Sequence, residues 1–223
     1  MNSIFSHGKL LLTSEYVVLD GALALAVPTR LGQEFSFTEI DDAQSVVLWE
    51  AYHQGSLWLS AKIDYQTWEI LETNIPQSAD FILKVLKNVQ QLSSNKFQQN
   101  QSYYLKTNLQ FPADFGLGSS STLMNNLAEW SGVDAYLLND YSLGGSGYDI
   151  AVAKAKQPIL FQIKENERRA EIVDFSPEFA EDLLFVHLNQ KQDSREGISL
   201  YRSKEKPQNL VDFFSEITTK ILE

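Results

Sequence analysis

Apolar residues along this chain follow two spacings, and the changes between them mark its organisation. Period-two alternation dominates the first half: Tyr103, Leu105, Thr107 and Leu109 share one face, while Tyr104, Lys106 and Asn108 share the other, as in a half-buried strand. Strand-like segments recur at Glu34–Thr38, Val46–Ala51 and Leu57–Ile63. Apolar runs at 9–12 and 16–19 flank Thr13-Ser14-Glu15 and end at Asp20-Gly21, which predicts two short strands around a polar turn. Helical spacing appears first over Ala79–Leu92, where Phe81, Ile82, Val85, Leu86, Val89 and Leu92 form one stripe. The polar stretch 93–102 reads as an exposed loop.

Beyond Gly118 the spacing turns helical again through Leu123, Leu127 and Trp130, with Gly132 at the position of a helix C′ residue. Strands are predicted at Pro158–Ile163 and Arg169–Phe175, followed by an apolar run at Leu183–Leu188. Val211, Phe213, Phe214, Ile217 and Ile221 predict a last helix over Leu210–Leu222. The domain boundary is expected near residue 180, with 181–223 a short or interrupted second part.

Composition sets limits on this picture. With 223 residues, 43% of them apolar, the chain can fill the core of one large domain, or of one domain and part of another. A net charge of −11 opposes nucleic-acid backbones and anionic membranes, so any phosphate ligand must be held locally. The absence of cysteine excludes disulfides, thiolate metal sites and a cysteine nucleophile, and fits a reducing compartment. The start lacks the marks of a signal peptide, and the longest apolar run, Ala22 to Val27, is far shorter than the roughly 20 residues that span a bilayer. The expectation is a soluble, cytoplasmic monomer or homodimer that acts on a small-molecule substrate, with no nucleic acid and no membrane partner.

Three segments carry the chemistry. Pro112-Ala113-Asp114-Phe115-Gly116-Leu117-Gly118-Ser119-Ser120-Ser121 joins a strand end to a helix start through glycines and hydroxyls. Free backbone N–H groups and the positive end of the helix dipole suit a phosphate there, although a serine-capped flexible turn fits the segment equally well. Gly8-Lys9 through Glu15-Tyr16 to Asp20-Gly21 places two charges among apolar strand residues, where unpaired charge is costly. Gly145-Ser146-Gly147-Tyr148-Asp149 sets a carboxylate behind a flexible turn. Taken singly, Lys9 reads as a snorkelling lysine and Asp149 as an acid at a helix N-terminus.

In order and spacing, the three segments resemble the motifs of the GHMP kinases, the superfamily of galactokinase, homoserine kinase, mevalonate kinase and phosphomevalonate kinase. Pro112 to Ser121 is similar position for position to the second motif of that family. The turn ending at Asp149 is similar to the Ser-Gly-x-Asp turn of mevalonate and phosphomevalonate kinases. The resemblance implies an α+β GHMP kinase fold: an N-terminal ATP-binding domain like the second domain of ribosomal protein S5 over 1–180, and the start of a ferredoxin-like C-terminal domain over 181–223. It further implies transfer of the γ-phosphate of ATP to an alcohol, as in mevalonate kinase, with phosphomevalonate kinase or a non-catalytic nucleotide-binding protein of the same fold as alternatives. Asp149 would be the general base and Lys9 would neutralise developing charge. Pro112, Gly116, Leu117, Gly118, Ser119, Ser120 and Ser121 would hold the nucleotide, with Ser120 on Mg²⁺. Glu15, Tyr16, Gly145 and Ser146 would face the acceptor, Glu15 by pairing with Lys9 or by touching substrate.

The sequence departs from the pattern at several points. Tyr16 stands where the family has His, and Thr13-Ser14 where it has a pair ending in Gly. For an acidic metal ligand the stretch after Gly118 offers Glu129, Asp134 and Asp140. Gly197 is the last glycine, so the family's third, glycine-rich motif is missing. Phe185 to Arg202, with Lys191, Ser194 and Arg195, resembles the opening strand and helix of the C-terminal domain, which favours a natural protein that continues past Glu223.

Overall fold

A computed structural model describes residues 2–97, 100–187 and 194–223. In chain order the elements are β1 (Asn2–Leu11), β2 (Ala24–Asp41), β3 (Val46–His53), β4 (Ser56–Asp64), β5 (Glu69–Thr73), α1 (Pro76–Leu92), β6 (Gln101–Leu109), α2 (Ser119–Ser131), α3 (Ala135–Ser142), α4 (Tyr148–Ala155), β7 (Ile159–Lys164), β8 (Glu167–Ile172), α5 (Ser194–Ser203) and α6 (Leu210–Leu222). The chain divides into two compact units: Met1–Ser6, Leu31–Ala113 and Ser119–Gly144 make the first, and His7–Arg30, Asp114–Gly118 and Gly145–Glu223 the second.

In the first unit the strands lie in the order β5-β4-β3-β6-β2. The β3–β6 pair is parallel, with Val47 opposite Tyr103 and Trp49 opposite Leu105, and this register puts their buried side chains on one face. α1 packs on β4 and β5 and buries Ala79, Ile82, Val85, Leu86 and Val89, and Pro76 opens it where a missing N–H costs nothing. An aromatic cluster fills the core: Trp130 meets Phe35 at 5.8 Å and Tyr103 at 5.7 Å between ring centroids. α2 is buried along polar as well as apolar positions. Ser6 Oγ donates to Asn126 Oδ1 at 2.7 Å, Asn125 Nδ2 donates to Ser6 Oγ at 2.8 Å, and Asn126 Nδ2 donates to the Gln33 carbonyl at 3.0 Å. These bonds satisfy groups that would be costly to bury unpaired, and they set the roll of α2 on the strands.

In the second unit β7 pairs antiparallel with the first residues of β2, Ala24 opposite Phe161, and with β8 on its other side. α4 packs on β7, and α6 packs on the turn after β1. There Thr218, fully buried, donates to Thr13 Oγ1 and sits 2.8 Å from the Leu23 carbonyl, while Ser215 Oγ accepts from Leu23 N at 2.9 Å.

The period-two and helical stripes locate β3, β4, β6, α1 and α6. The expected strand at 16–19 is instead a 3₁₀ turn over Val17–Asp20. Ser14 and Tyr16 both take φ of 62°, and Val18 N and Leu19 N bond back to Ser14 O and Tyr16 O, so the chain reverses and buries Val17 and Val18 in a turn. The described part of Leu183–Leu188 forms no strand; Leu188 and Lys191 lie outside the described residues. β5 and α3 were not visible in the pattern, because Leu71 and Leu137 point to solvent. Among the described residues no helix is long and apolar enough to cross a membrane.

Candidate functional site

Lys9 lies on β1 in the second unit, tied to the loop at 114–118 by a bond from its backbone N–H to the Leu117 carbonyl at 3.0 Å. Its aliphatic stem crosses Gly118 so closely that a Cβ there would stand 3.1 Å from Lys9 Cγ and Cε. Gly118 has φ of +80° and Gly116 of +72°, a region that side chains other than glycine's rarely adopt. Around Gly116 the space is open. The loop therefore exposes backbone at Gly116 and supports Lys9 at Gly118.

The other half of the cluster comes from α4. Gly147 at its N-cap has left-handed backbone, which turns the chain so that Tyr148 and Asp149 fall in the first helical turn, where the dipole favours a carboxylate. The Lys9 ammonium donates to Tyr148 Oη at 2.6 Å, lies 4.9 Å from the centre of that ring, and stands 3.1 Å from Asp149 Oδ1. That last approach is an ion pair; Asp149 Oδ1 is closed to solvent, while the side chain as a whole is 27% exposed. Burial first, then the charges of Asp149 and Glu15, hold the Tyr148 phenol well above its ordinary pKa, so it is a neutral O–H. Ser146 is buried behind the turn; its Oγ accepts from Tyr148 N at 3.4 Å and its carbonyl from Arg168 Nε at 2.8 Å.

Glu15 keeps an open surface, yet crowding by protein atoms raises its carboxyl above the usual value; Lys9 pulls it down and Asp149 pushes it up. The ion-pair partner of Lys9 is Asp149 and not Glu15. Tyr16 turns toward α5, stacked on Tyr201 at 5.8 Å with its hydroxyl against Gly197, where a Cβ would collide with it. Hydroxyls take over the closing of this loop: Ser14 Oγ donates to the Leu23 carbonyl at 2.6 Å, and Thr13 Oγ1 accepts from Leu25 N at 2.8 Å.

Lys9, Asp149, Glu15, Gly145, Ser146 and the loop Gly116-Leu117-Gly118 thus belong to one unit. Pro112 and the first turn of α2, Ser119 to Ser121, belong to the other and join the loop through the chain itself. Ser120 is exposed, whereas Ser121 is buried. Among the described residues no three His, Asp or Glu side chains cluster as a metal site. Asp134 accepts from Leu137 N at 3.0 Å as the N-cap of α3, and Glu129 and Asp140 face solvent. A Mg²⁺ bound through one hydroxyl and phosphate oxygens remains compatible with this donor set, since that ion keeps several waters and needs few protein ligands. Sequence reasoning named the motif around Tyr148 without giving that residue a role; the structure bonds its hydroxyl to Lys9. It missed His187 as well, whose ring lies 4.5 Å from that of Phe115 at the edge of the glycine loop.

No sequence-family model matches the chain, and no curated protein matches it in sequence. In three dimensions it is similar to Methanococcus jannaschii mevalonate kinase, with a TM-score of 0.66 at 15% identity over 99% of this chain and 72% of that one. It is likewise similar to L. major mevalonate kinase in complex with R-mevalonate, with a TM-score of 0.67 at 13% identity over 99% of this chain and 68% of that one. Streptococcus pneumoniae phosphomevalonate kinase in complex with phosphomevalonate and AMPPNP aligns with 73% of this chain and 50% of its own, at a TM-score of 0.50 and 18% identity. The chain has the α+β fold of these GHMP kinases.

Proposed function

We propose that this protein is an ATP-dependent small-molecule kinase that transfers the γ-phosphate to an alcohol, with mevalonate as the leading acceptor. One observation carries the proposal: the Asp149 carboxylate stands 3.1 Å from the ammonium of Lys9, whose backbone N–H bonds the Leu117 carbonyl in a loop with exposed glycine backbone at Gly116. The Asp149 carboxylate takes the proton of the acceptor hydroxyl as the hydroxyl oxygen bonds the γ-phosphorus; the bond from phosphorus to the β-phosphate oxygen breaks and ADP departs. Lys9 offsets negative charge that builds on the transferring group. The continuous segment Gly116–Ser121 offers free N–H groups to the phosphates, and Ser120 offers its hydroxyl to Mg²⁺, which neutralises phosphate charge when bound. Glu15, Tyr16, Gly145 and Ser146 remain the proposed acceptor side, with 1–180 as the ATP-binding part and 181–223 as the opening of a second domain.

The likeness to phosphomevalonate kinase favours one second reading, a phosphate-ester acceptor. Turnover with Mg-ATP and each acceptor, for the parent and Asp149→Asn, tests both. The expected result is a fall in kcat of about 10²–10⁴-fold with mevalonate and a smaller one with phosphomevalonate, whose anionic acceptor needs less help from a base. Equal mevalonate turnover by parent and variant would remove Asp149 as base. Thermal stabilisation by Mg-ATP without turnover of any acceptor would identify a nucleotide-binding module instead, and no stabilisation would overturn both.

A further inference from the structure

We infer that Tyr201 on α5 is a positioning residue for the acceptor side: stacked on Tyr16, it holds that residue in a left-handed turn and so fixes the direction of the neighbouring Glu15. This inference rests on the kinase reading and adds a residue to it. The observation behind it is a backbone outlier. Tyr16 has φ of 62° and ψ of −39°, and Val17 N donates to the Glu15 carbonyl at 2.8 Å across it. That is the γ-turn of positive φ, which is rare and strained. Ser14 takes φ of 62° as well, so Glu15 is carried between two left-handed residues, neither of them glycine. Such backbone persists only where the surroundings impose it, and it gathers at functional sites.

Each left-handed residue is held by a different helix. Ser14 Oγ donates to the Leu23 carbonyl at 2.6 Å, and the same carbonyl accepts from Thr218 of α6 at 2.8 Å. Tyr16 is held by α5. Its ring stacks on that of Tyr201 with centroids 5.8 Å apart and planes 20° from parallel, and its hydroxyl rests on Gly197. Glycine inside a helix is unfavourable relative to alanine, and here the Tyr16 hydroxyl takes the space a Cβ would need. Tyr201 is anchored in turn to the far end of the same loop. Its hydroxyl donates to Asp20 Oδ2 at 2.5 Å, and the Lys206 ammonium donates to that oxygen at 2.7 Å and lies 4.0 Å from the centre of the Tyr201 ring. α5 and the residues after it thus grip the turn at Tyr16 and at Asp20. A change in the sign of φ redirects the Tyr16 side chain relative to the chain before it, so the stack and the turn are kept or lost together. Glu15 is where this matters chemically: Lys9 and Asp149 both act on its carboxyl, while the ion pair of Lys9 goes to Asp149, which leaves Glu15 for the acceptor.

Tyr201→Ala removes the stack, and Tyr201→Phe keeps it. In the Ala variant KM for the acceptor should rise about 10–100-fold, the worth of one hydrogen bond to a charged group, with KM for ATP within about twofold of the parent. In the Phe variant, which loses only the bond to Asp20, both KM values should stay within about threefold of the parent. A purely structural loss lowers the folded fraction and hence kcat, and moves neither KM. In the Glu15→Ala background Tyr201→Ala should change the acceptor KM by less than about twofold, because a residue acting through Glu15 has nothing left to act on. An unchanged acceptor KM in the Ala variant, equal effects of Ala and Phe, or a loss of similar size with and without Glu15 would overturn the inference. A crystal structure of Tyr201→Ala gives a readout that does not depend on activity: Tyr16 should relax to negative φ. A Tyr16 that keeps its φ of 62° would overturn the inference whatever the kinetics. If the parent phosphorylates no acceptor, the kinase reading fails while this structural result still decides whether Tyr201 holds the turn. Should Tyr201→Ala not fold, Gly197→Ala serves in its place, since its Cβ would meet the Tyr16 hydroxyl and push the ring off Tyr201, with the same rise in acceptor KM expected.

Discussion

Replacing Gly118 with alanine separates backbone strain from displacement of Lys9. At φ of +80° a side chain costs about 1–2 kcal/mol, as for other residues forced into left-handed backbone. For a chain of this length each kcal/mol corresponds to about 2–4 °C in Tm, so the loss should be about 2–8 °C. Gly116→Ala, at +72° with open space around it, carries the same strain and nothing else. At Gly118 the new Cβ also stands 3.1 Å from Lys9 Cγ and Cε, against a comfortable carbon–carbon separation of about 3.5–4.0 Å. The stem must yield by about 0.4–0.9 Å, and the ammonium moves with it, away from Tyr148 and Asp149. Misplacement approaching 1 Å costs up to about 10²-fold in rate. Urea unfolding and ATP-dependent phosphorylation, measured for both variants, should show similar stability losses but a much larger fall in kcat for Gly118→Ala. Equal kcat values for the two variants would refute the placement of Lys9 over the loop.

Thr218→Val keeps the shape of a fully buried side chain and removes the hydroxyl that joins α6 to Thr13 and Leu23; it should cost about 1–2 kcal/mol in denaturant unfolding. A change within error would mean that the helix is held by apolar contact alone. Desolvation works to raise Asp20, but hydrogen bonds from Lys206 and Tyr201 outweigh it and leave its carboxyl below the ordinary value of 3.8. A lowered folded pKa gives stability that is present above the unfolded value and lost as pH falls through the folded one. The stability gap between parent and Asp20→Asn should therefore be constant above about pH 5 and shrink below 3.8; a gap that grows in acid would contradict the bonding at Asp20.

Local pattern was a good guide wherever an element buries one face. The stripe on α1 and the alternation on β6 appear in the structure because a helix or strand at a core boundary must sort its residues by period. Pattern failed at Val17–Asp20, where two branched residues are buried by a 3₁₀ turn and the deciding feature is the positive φ of Ser14 and Tyr16. It also gave no hint that Asn125 and Asn126 face inward, because their partners Ser6 and Gln33 lie far away in sequence.

What the sequence determined by itself was the set of chemical groups and their order: a lysine after the first glycine, a glycine and serine turn opening a helix, and an aspartate behind a second turn. Backbone chemistry makes those features legible, since glycines permit left-handed turns and helix starts leave N–H groups free. Tertiary structure decided which groups meet. It gave Lys9 to Tyr148 and Asp149 rather than to Glu15, and turned Tyr16 toward α5. Pairing among charged side chains depends on distances of a few ångströms between segments well over a hundred residues apart, and one-dimensional spacing carries no record of them.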